Sequence, residues 1–142
     1  VEITQELNNP TVNIGKSVTV TVTPPPRPQP ILAITPGDVR TRYSSQSFTF
    51  KNTAATGNNA AGVAYTVSVV RGATYVQSLS YTGGIGAIAA GSSVARTIGV
   101  TRNYKWNYAA YGTEIELEIK ITAETNNPGV NVGKTARYVI YK

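Results

Sequence analysis

Glu114-Ile115-Glu116-Leu117-Glu118-Ile119-Lys120-Ile121 alternates charged and apolar residues without a break. Successive side chains of a β-strand point to opposite faces, so this spacing lines one face with Ile and Leu and the other with charge. The stretch is therefore a half-buried β-strand. A strand of this kind belongs to an antiparallel sheet with one face on a core and the other in water. The row Glu114, Glu116, Glu118 has uniform exposure in this reading and forms a solvated or inter-subunit face, opposed by Lys120 or by Arg137 on a neighbouring strand. Catalysis by paired carboxylates needs two acids across a cleft in different environments, which a row on one strand face does not offer.

Past Ile121 the chain reads Asn126-Asn127-Pro128-Gly129-Val130-Asn131-Val132-Gly133-Lys134, then Ala136-Arg137-Tyr138-Val139-Ile140-Tyr141. Asn, Pro and Gly clustered between two strand-like runs read as a hairpin. The same unit stands near the start as Asn8-Asn9-Pro10-Thr11-Val12-Asn13-Ile14-Gly15-Lys16. The offset is constant at 118, the difference between Asn126 and Asn8. Ile3-Thr4 falls on Ile121-Thr122, Glu6 on Glu124 and Val22 on Ile140. Between Glu2 and Pro24, ten of twenty-three positions are identical to those 118 residues on. After the first turn, Ser17-Val18-Thr19-Val20-Thr21-Val22-Thr23 sets valines on one face and hydroxyls on the other.

Two similar hairpins in one domain by duplication is one reading; the sharper one is that 118 residues is the length of a repeat. The second hairpin closes the domain to which it belongs, while the first resembles the closing piece of another domain. Between them lies Pro24-Pro25-Pro26-Arg27-Pro28-Gln29-Pro30, whose prolines cannot join a central ladder and favour stiff polyproline II. The organisation expected is an N-terminal donor strand or hairpin over 1–23, a linker over 24–30 and a β-sandwich over 31–142.

Within the sandwich, Ile31-Leu32-Ala33-Ile34 reads as a first strand ended by Pro36-Gly37-Asp38. Ser47-Phe48-Thr49-Phe50-Lys51 follows with both Phe inward, then a loop from Asn52 to Ala61. Val63 to Val69 alternates again. Ala73 to Tyr81 reads as a strand before a turn at Gly83-Gly84, and Val94 to Val100 as another. Short strands separated by turn signals every ten to fifteen residues predict an all-β, immunoglobulin-like antiparallel sandwich with an N-terminal extension.

Composition narrows the function. The chain has no Cys and no His, so thiol chemistry, disulfides and the usual general base and metal ligand are absent. Its single Asp does not suit a calcium cage, and no cofactor is implied. Charged residues make up 14%, against about a quarter in ordinary domains, a balance that suits a secreted β-protein. The net charge of +6 is spread singly, with no basic run, so nucleic acid is not an expected partner. No run of eighteen apolar residues predicts a membrane span. The chain opens at Val1 rather than Met, as expected of a processed product or an excised segment.

In Tyr104-Lys105-Trp106-Asn107-Tyr108-Ala109-Ala110-Tyr111, an extended backbone would put Tyr104, Trp106 and Tyr108 on one face, where a row of rings could stack on sugars. The lone Trp of a sandwich is more often core or interface, and Tyr108 or Tyr111 is placed to be a corner tyrosine bonding back to the backbone.

Phe-Thr-Phe-Lys-Asn-Thr (48–53), Val-Ala-Tyr-Thr-Val-Ser-Val (63–69) and the turn Ala89-Ala90-Gly91-Ser92-Ser93 together resemble the immunoglobulin-like CARDB-type repeats of archaeal and bacterial surface proteins. The duplicated hairpin is similar to the donor segments of secreted archaeal and bacterial filament subunits, the threads and bundling pili, which join by donor-strand complementation. These resemblances imply an extracellular, non-enzymatic, structural protein polymerising head to tail with copies of itself. Val12, Ile14, Val18, Val20 and Val22 would enter the neighbour's groove, and Pro24, Pro25, Pro26, Pro28 and Pro30 would set the spacing. A repeat domain of a tandem-repeat adhesin or surface-layer protein is the alternative. A carbohydrate-binding module contacting cell-surface glycans through Tyr104, Trp106 and Tyr108 is the third.

Overall fold

A computed structural model describes residues 8, 11, 14–22 and 29–142. Among the described residues nine strands form two sheets: β1 (Leu32–Thr35), β2 (Asp38–Thr41), β3 (Ser45–Asn52), β4 (Ala60–Arg71), β5 (Val76–Ser80), β6 (Gly84–Ile88), β7 (Ser93–Arg102), β8 (Glu114–Ala123) and β9 (Thr135–Tyr141). A 3₁₀ turn (Ala73–Tyr75) leads into β5. One-turn helices, α1 (Lys105–Tyr108) and α2 (Pro128–Asn131), sit in the β7–β8 and β8–β9 connections. One sheet has the order β1-β3-β7-β5, the other β2-β9-β8-β4-β6. The architecture is an immunoglobulin-like β-sandwich.

The alternating strands build the core. Ile115, Leu117, Ile119 and Ile121 of β8 are all fully buried, as are Phe48 and Phe50 of β3 on the opposite sheet. Phe50 packs on Tyr65 with ring centroids 4.7 Å apart, and Phe48 meets Tyr138 edge-on at 6.0 Å. In β4 the inward positions run Ala60, Val63, Tyr65 and Val67, a break in strict alternation. A bulge between Ala60 and Val63 absorbs the extra residue, and Gly62 there takes a φ of +60°.

Three strands differ from the sequence reading. Asp38, read with Pro36 and Gly37 as the end of the first strand, instead opens the edge strand β2 (Asp38–Thr41), unassigned in the sequence reading, which pairs parallel with β9 in an otherwise antiparallel sandwich. Gly84–Ile88 is strand β6 rather than a turn alone. The expected strand from Ala73 to Tyr81 is shorter, its first residues being the 3₁₀ turn.

The chain enters and leaves at opposite ends. Leu32 pairs with Asn52 and lies against the β8–β9 turn, where β9 begins. Seven residues of β9 then run to Tyr141, about 20 Å away at strand rise. Pro30, expected in the linker, is already buried in the sandwich, while Pro24, Pro25, Pro26 and Pro28 lie outside the described residues.

Candidate functional site: a corner that grips the incoming chain

At the entry end the β8–β9 turn is organised by three polar residues. Glu124 and Asn131 are buried, and Lys134 is half-buried beside them. Oε1 of Glu124 accepts from the backbone N–H of Ala61 (3.1 Å) and Asn126 (2.9 Å). Its Oε2 accepts from the N–H of Asn127 (2.6 Å) and from Nδ2 of Asn131 (3.1 Å). Burial pushes this carboxyl's pKa up, but the bonds from Asn126, Asn131, Ala61 and Asn127 outweigh it and hold the pKa below the ordinary value.

Asn131 is thereby fixed so that its amide faces the start of β1. Its Oδ1 accepts from Leu32 N–H at 2.8 Å, and its Nδ2 donates to Pro30 O at 3.0 Å. Nδ2 of Asn127 donates to the same Pro30 oxygen at 3.1 Å. Lys134 Nζ donates to Leu32 O at 2.5 Å, and desolvation lowers its pKa. Every one of these contacts on the incoming chain is to backbone. The corner therefore grips an extended segment whatever side chains that segment carries.

Asn52 is a second pin at this end. It is fully buried, donates to Asn58 O (2.7 Å) and Ile88 O (3.1 Å), and accepts from Ile31 N–H at 3.2 Å. Asn52, at the end of β3, thereby ties the β3–β4 loop and the end of β6 to the incoming chain.

The N-terminal copy of the corner has the same local conformation wherever it is described. Thr11 is helical like Gly129, Ile14 and Gly15 form a turn like Val132 and Gly133, and Asn8 lies in a bend like Asn126. Gly15 has φ +83° and Gly133 φ +94°, a region that favours glycine. Val18, Val20 and Val22 are 61%, 64% and 79% exposed, whereas the residues 118 further on, Ala136, Tyr138 and Ile140, are 1%, 0% and 0% exposed. Ile14 is also exposed, like its counterpart Val132. Val12 lies outside the described residues, as do Glu6, Asn9 and Asn13.

At the exit end the aromatic stretch is not extended. Lys105–Tyr108 is the helical turn α1, so Tyr104, Trp106 and Tyr108 do not share a strand face. Trp106 is only 6% exposed, sits edge-on against Tyr75 at 5.7 Å and under Arg102 at 5.4 Å, and offers no open ring to a sugar. Tyr104 and Tyr108 are exposed. Lys142 Nζ closes the helical turn by donating to the carbonyls of Trp106 (2.9 Å), Asn107 (2.7 Å) and Ala109 (2.7 Å). Neither Tyr108 nor Tyr111 is a buried corner tyrosine, since both are exposed. The hydroxyl of Tyr138 does bond back to the backbone, at Tyr43 O (2.7 Å), and burial pushes its pKa up to about 12.

The acidic row is not uniform. Glu116 is buried beneath arginines, pairing with Arg71 (2.8 Å) and with Arg137, whose hydrogen bond is the main cause of its lowered pKa. Glu114 pairs with Arg40 (2.8 Å) and Arg71 (2.6 Å). The opposing cation anticipated at Arg137 is present, and Arg40 and Arg71 join it. Among the described residues no three His, Cys, Asp or Glu cluster to hold a metal, and no helix is long and apolar enough to cross a membrane.

No protein-family model matches the chain, and no curated protein matches it. Among solved structures it is similar to the ASH/PapD-like domain 7 of human CEP192, at 11% identity and TM-score 0.47, over 90% of this chain and 96% of that one. It is also similar to WR4, a Caenorhabditis elegans MSP family member, at 9% identity and TM-score 0.41, over 78% and 96% of the two chains. At these identities no function carries across.

Proposed function

We propose that the chain is a structural module of an extended, end-to-end array outside the cell, in which residues 2–23 serve as the closing corner and last strand of an adjacent sandwich. One observation carries this reading. At the constant offset of 118, the exposed Val18, Val20 and Val22 fall on Ala136, Tyr138 and Ile140, the buried core face of β9. An exposed apolar stripe with the register of a core strand has a second sandwich as its matching surface. The shared turn conformation at Thr11, Ile14 and Gly15 supports the same conclusion. So does the entry of the chain at one end and its exit at the other. Ahead of the buried Pro30 the sequence holds Pro24, Pro25, Pro26 and Pro28, a composition that favours a stiff spacer between neighbours.

In the sandwich as folded, β9 already fills the place between β8 and β2. A second copy could accept residues 2–23 only after its own β8–β9 corner had left. That requirement favours adjacent sandwiches in one polypeptide, a tandem-repeat surface protein, over strand donation between separate subunits. The intact mass of the native polypeptide under denaturing conditions tests it. A chain heavier by whole repeats of 118 residues is expected. A species at 15.1 kDa would overturn the single-polypeptide arrangement and require strand exchange between copies.

A further inference from the structure

Tension on such an array enters the sandwich at Pro30 and leaves at Lys142, at opposite ends. Between these points the load meets one strand pair with unusual geometry. β2 is the edge of the five-stranded sheet and pairs parallel with β9, in the register Asp38↔Arg137, Val39↔Tyr138, Arg40↔Val139 and Thr41↔Ile140. Both strands run from the entry end toward the exit end. Tension draws β1 and β2 back toward the entry end and β9 toward the exit end. The two neighbours are thus pulled in opposite directions along their own axes. The evenly spaced, slanted bonds of this parallel ladder are all loaded by such a slide at once, so they fail together rather than one at a time.

We propose that the β2–β9 pair is a load-bearing shear lock, and that resisting tension along the chain axis is a function of this domain. The side chains around the pair are arranged to strain in the same slide. Arg137 N–H donates to Gly37 O at 2.9 Å and to Asp38 Oδ1 at 3.2 Å. The Arg40 guanidinium on β2 reaches past β9 to Glu114 on β8, at 3.0 and 2.8 Å, and lies 4.3 Å from the Tyr141 ring centroid. Arg71 bridges Glu114 and Glu116, and Arg137 pairs with Glu116, so β2, β9, β8 and β4 are cross-tied. Singly, exposed ion pairs add little to stability. Under a slide they are lost at the same moment as the ladder, so they add to the barrier in this direction. Ahead of the lock stands the grip of Asn131 and Lys134 on Pro30 and Leu32, which the load must pass first.

The proposal rests on the array reading only for the source of the load, and the lock can be measured without it. Because the chain has no cysteine, one introduced thiol is a unique handle. The full chain is pulled in a single-molecule force experiment between its two ends, and separately as Tyr43→Cys between the thiol and the C-terminus. Tyr43 is exposed and follows β2 at the exit end, so the second attachment unzips β2 from β9 bond by bond. At equal pulling speed the end-to-end unfolding force is expected to be several-fold the higher. Val39→Pro, which removes a β2 N–H from the pair, is expected to at least halve the end-to-end force. If Val39→Pro does not fold, the attachment comparison decides alone. Equal forces in the two directions, or a higher force through position 43, would overturn the lock. A native mass of 15.1 kDa together with a several-fold directional contrast would remove the tandem array and leave the lock standing.

Discussion

Asn131 shows how one side chain can tie a fold together. It is fully buried, yet all its polar capacity is used, on Leu32 N–H, Pro30 O and Glu124. Truncation strands the buried Leu32 N–H and removes one donor each from Pro30 O and Glu124, which keep their bonds from Asn127. We expect Asn131→Ala to cost about 3 kcal/mol in urea unfolding, through the desolvated groups left without partners. A loss well under about 1 kcal/mol would mean that those groups find other partners. The role of Asn131 was not legible in the sequence. An Asn in a polar turn reads as surface, and its partner Leu32 is 99 residues away. What the sequence did carry was the pattern itself: Glu, Asn, Asn and Lys recur at the same spacing in both copies of the corner. Trp106 is the converse case. Its burial agrees with the usual fate of a lone Trp, but the one-turn helix that delivers it left no periodic signal in so short a stretch.

Among the elements, legibility followed length and alternation. β3, β4 and β8 were readable because each carries several alternating positions over eight or more residues. β2 was not, because Asp38-Val39-Arg40-Thr41 is four residues long, follows Pro36-Gly37 and is ordered by pairing with β9 far along the chain. β6 was hidden because Gly84 reads with Gly83 as a turn and Gly86 breaks any polar–apolar alternation over five residues. The uniform exposure expected for the glutamates failed for a similar reason. Alternation gives the face of a strand but not what covers that face, and here three arginines from other strands do so. One element junction offers a sharp test. Gly72 leads from β4 into the 3₁₀ turn with φ +77°, and a Cβ there would stand 2.4 Å from Glu114 O and 3.0 Å from Ile115 Cα. Both obstacles are backbone of the central strand β8 and cannot give way cheaply. Gly72→Ala is expected to lose at least about 1–3 kcal/mol from the left-handed φ alone, with a further cost for the clash, read as a lowered thermal midpoint. An unchanged midpoint would place this turn differently.

At the scale of the whole molecule, the repeat says more than any single residue. A sandwich that begins with a gripped segment and ends with the corner that does the gripping is closed on itself. The N-terminal copy carries the same corner and the same inward register ahead of a proline-rich spacer. The closed fold, its two ends and the proline-rich spacer are what the proposed array of domains loaded along one axis rests on. Under the proposed arrangement, residues 2–24 and 120–142 are interchangeable closing units. The most direct measurement is chemical unfolding of the full chain in which 120–142 carries the sequence of 2–24. Valines replace Tyr138 and Ile140 in that exchange, so the chimera should lose about 3–5 kcal/mol to the vacated volume. It should nevertheless unfold in one cooperative transition, with stability partly recovered when the valine at position 138 is returned to Tyr. Absence of a cooperative transition in both chimeras would contradict the account, because the N-terminal segment would then be unable to close a sandwich of this kind.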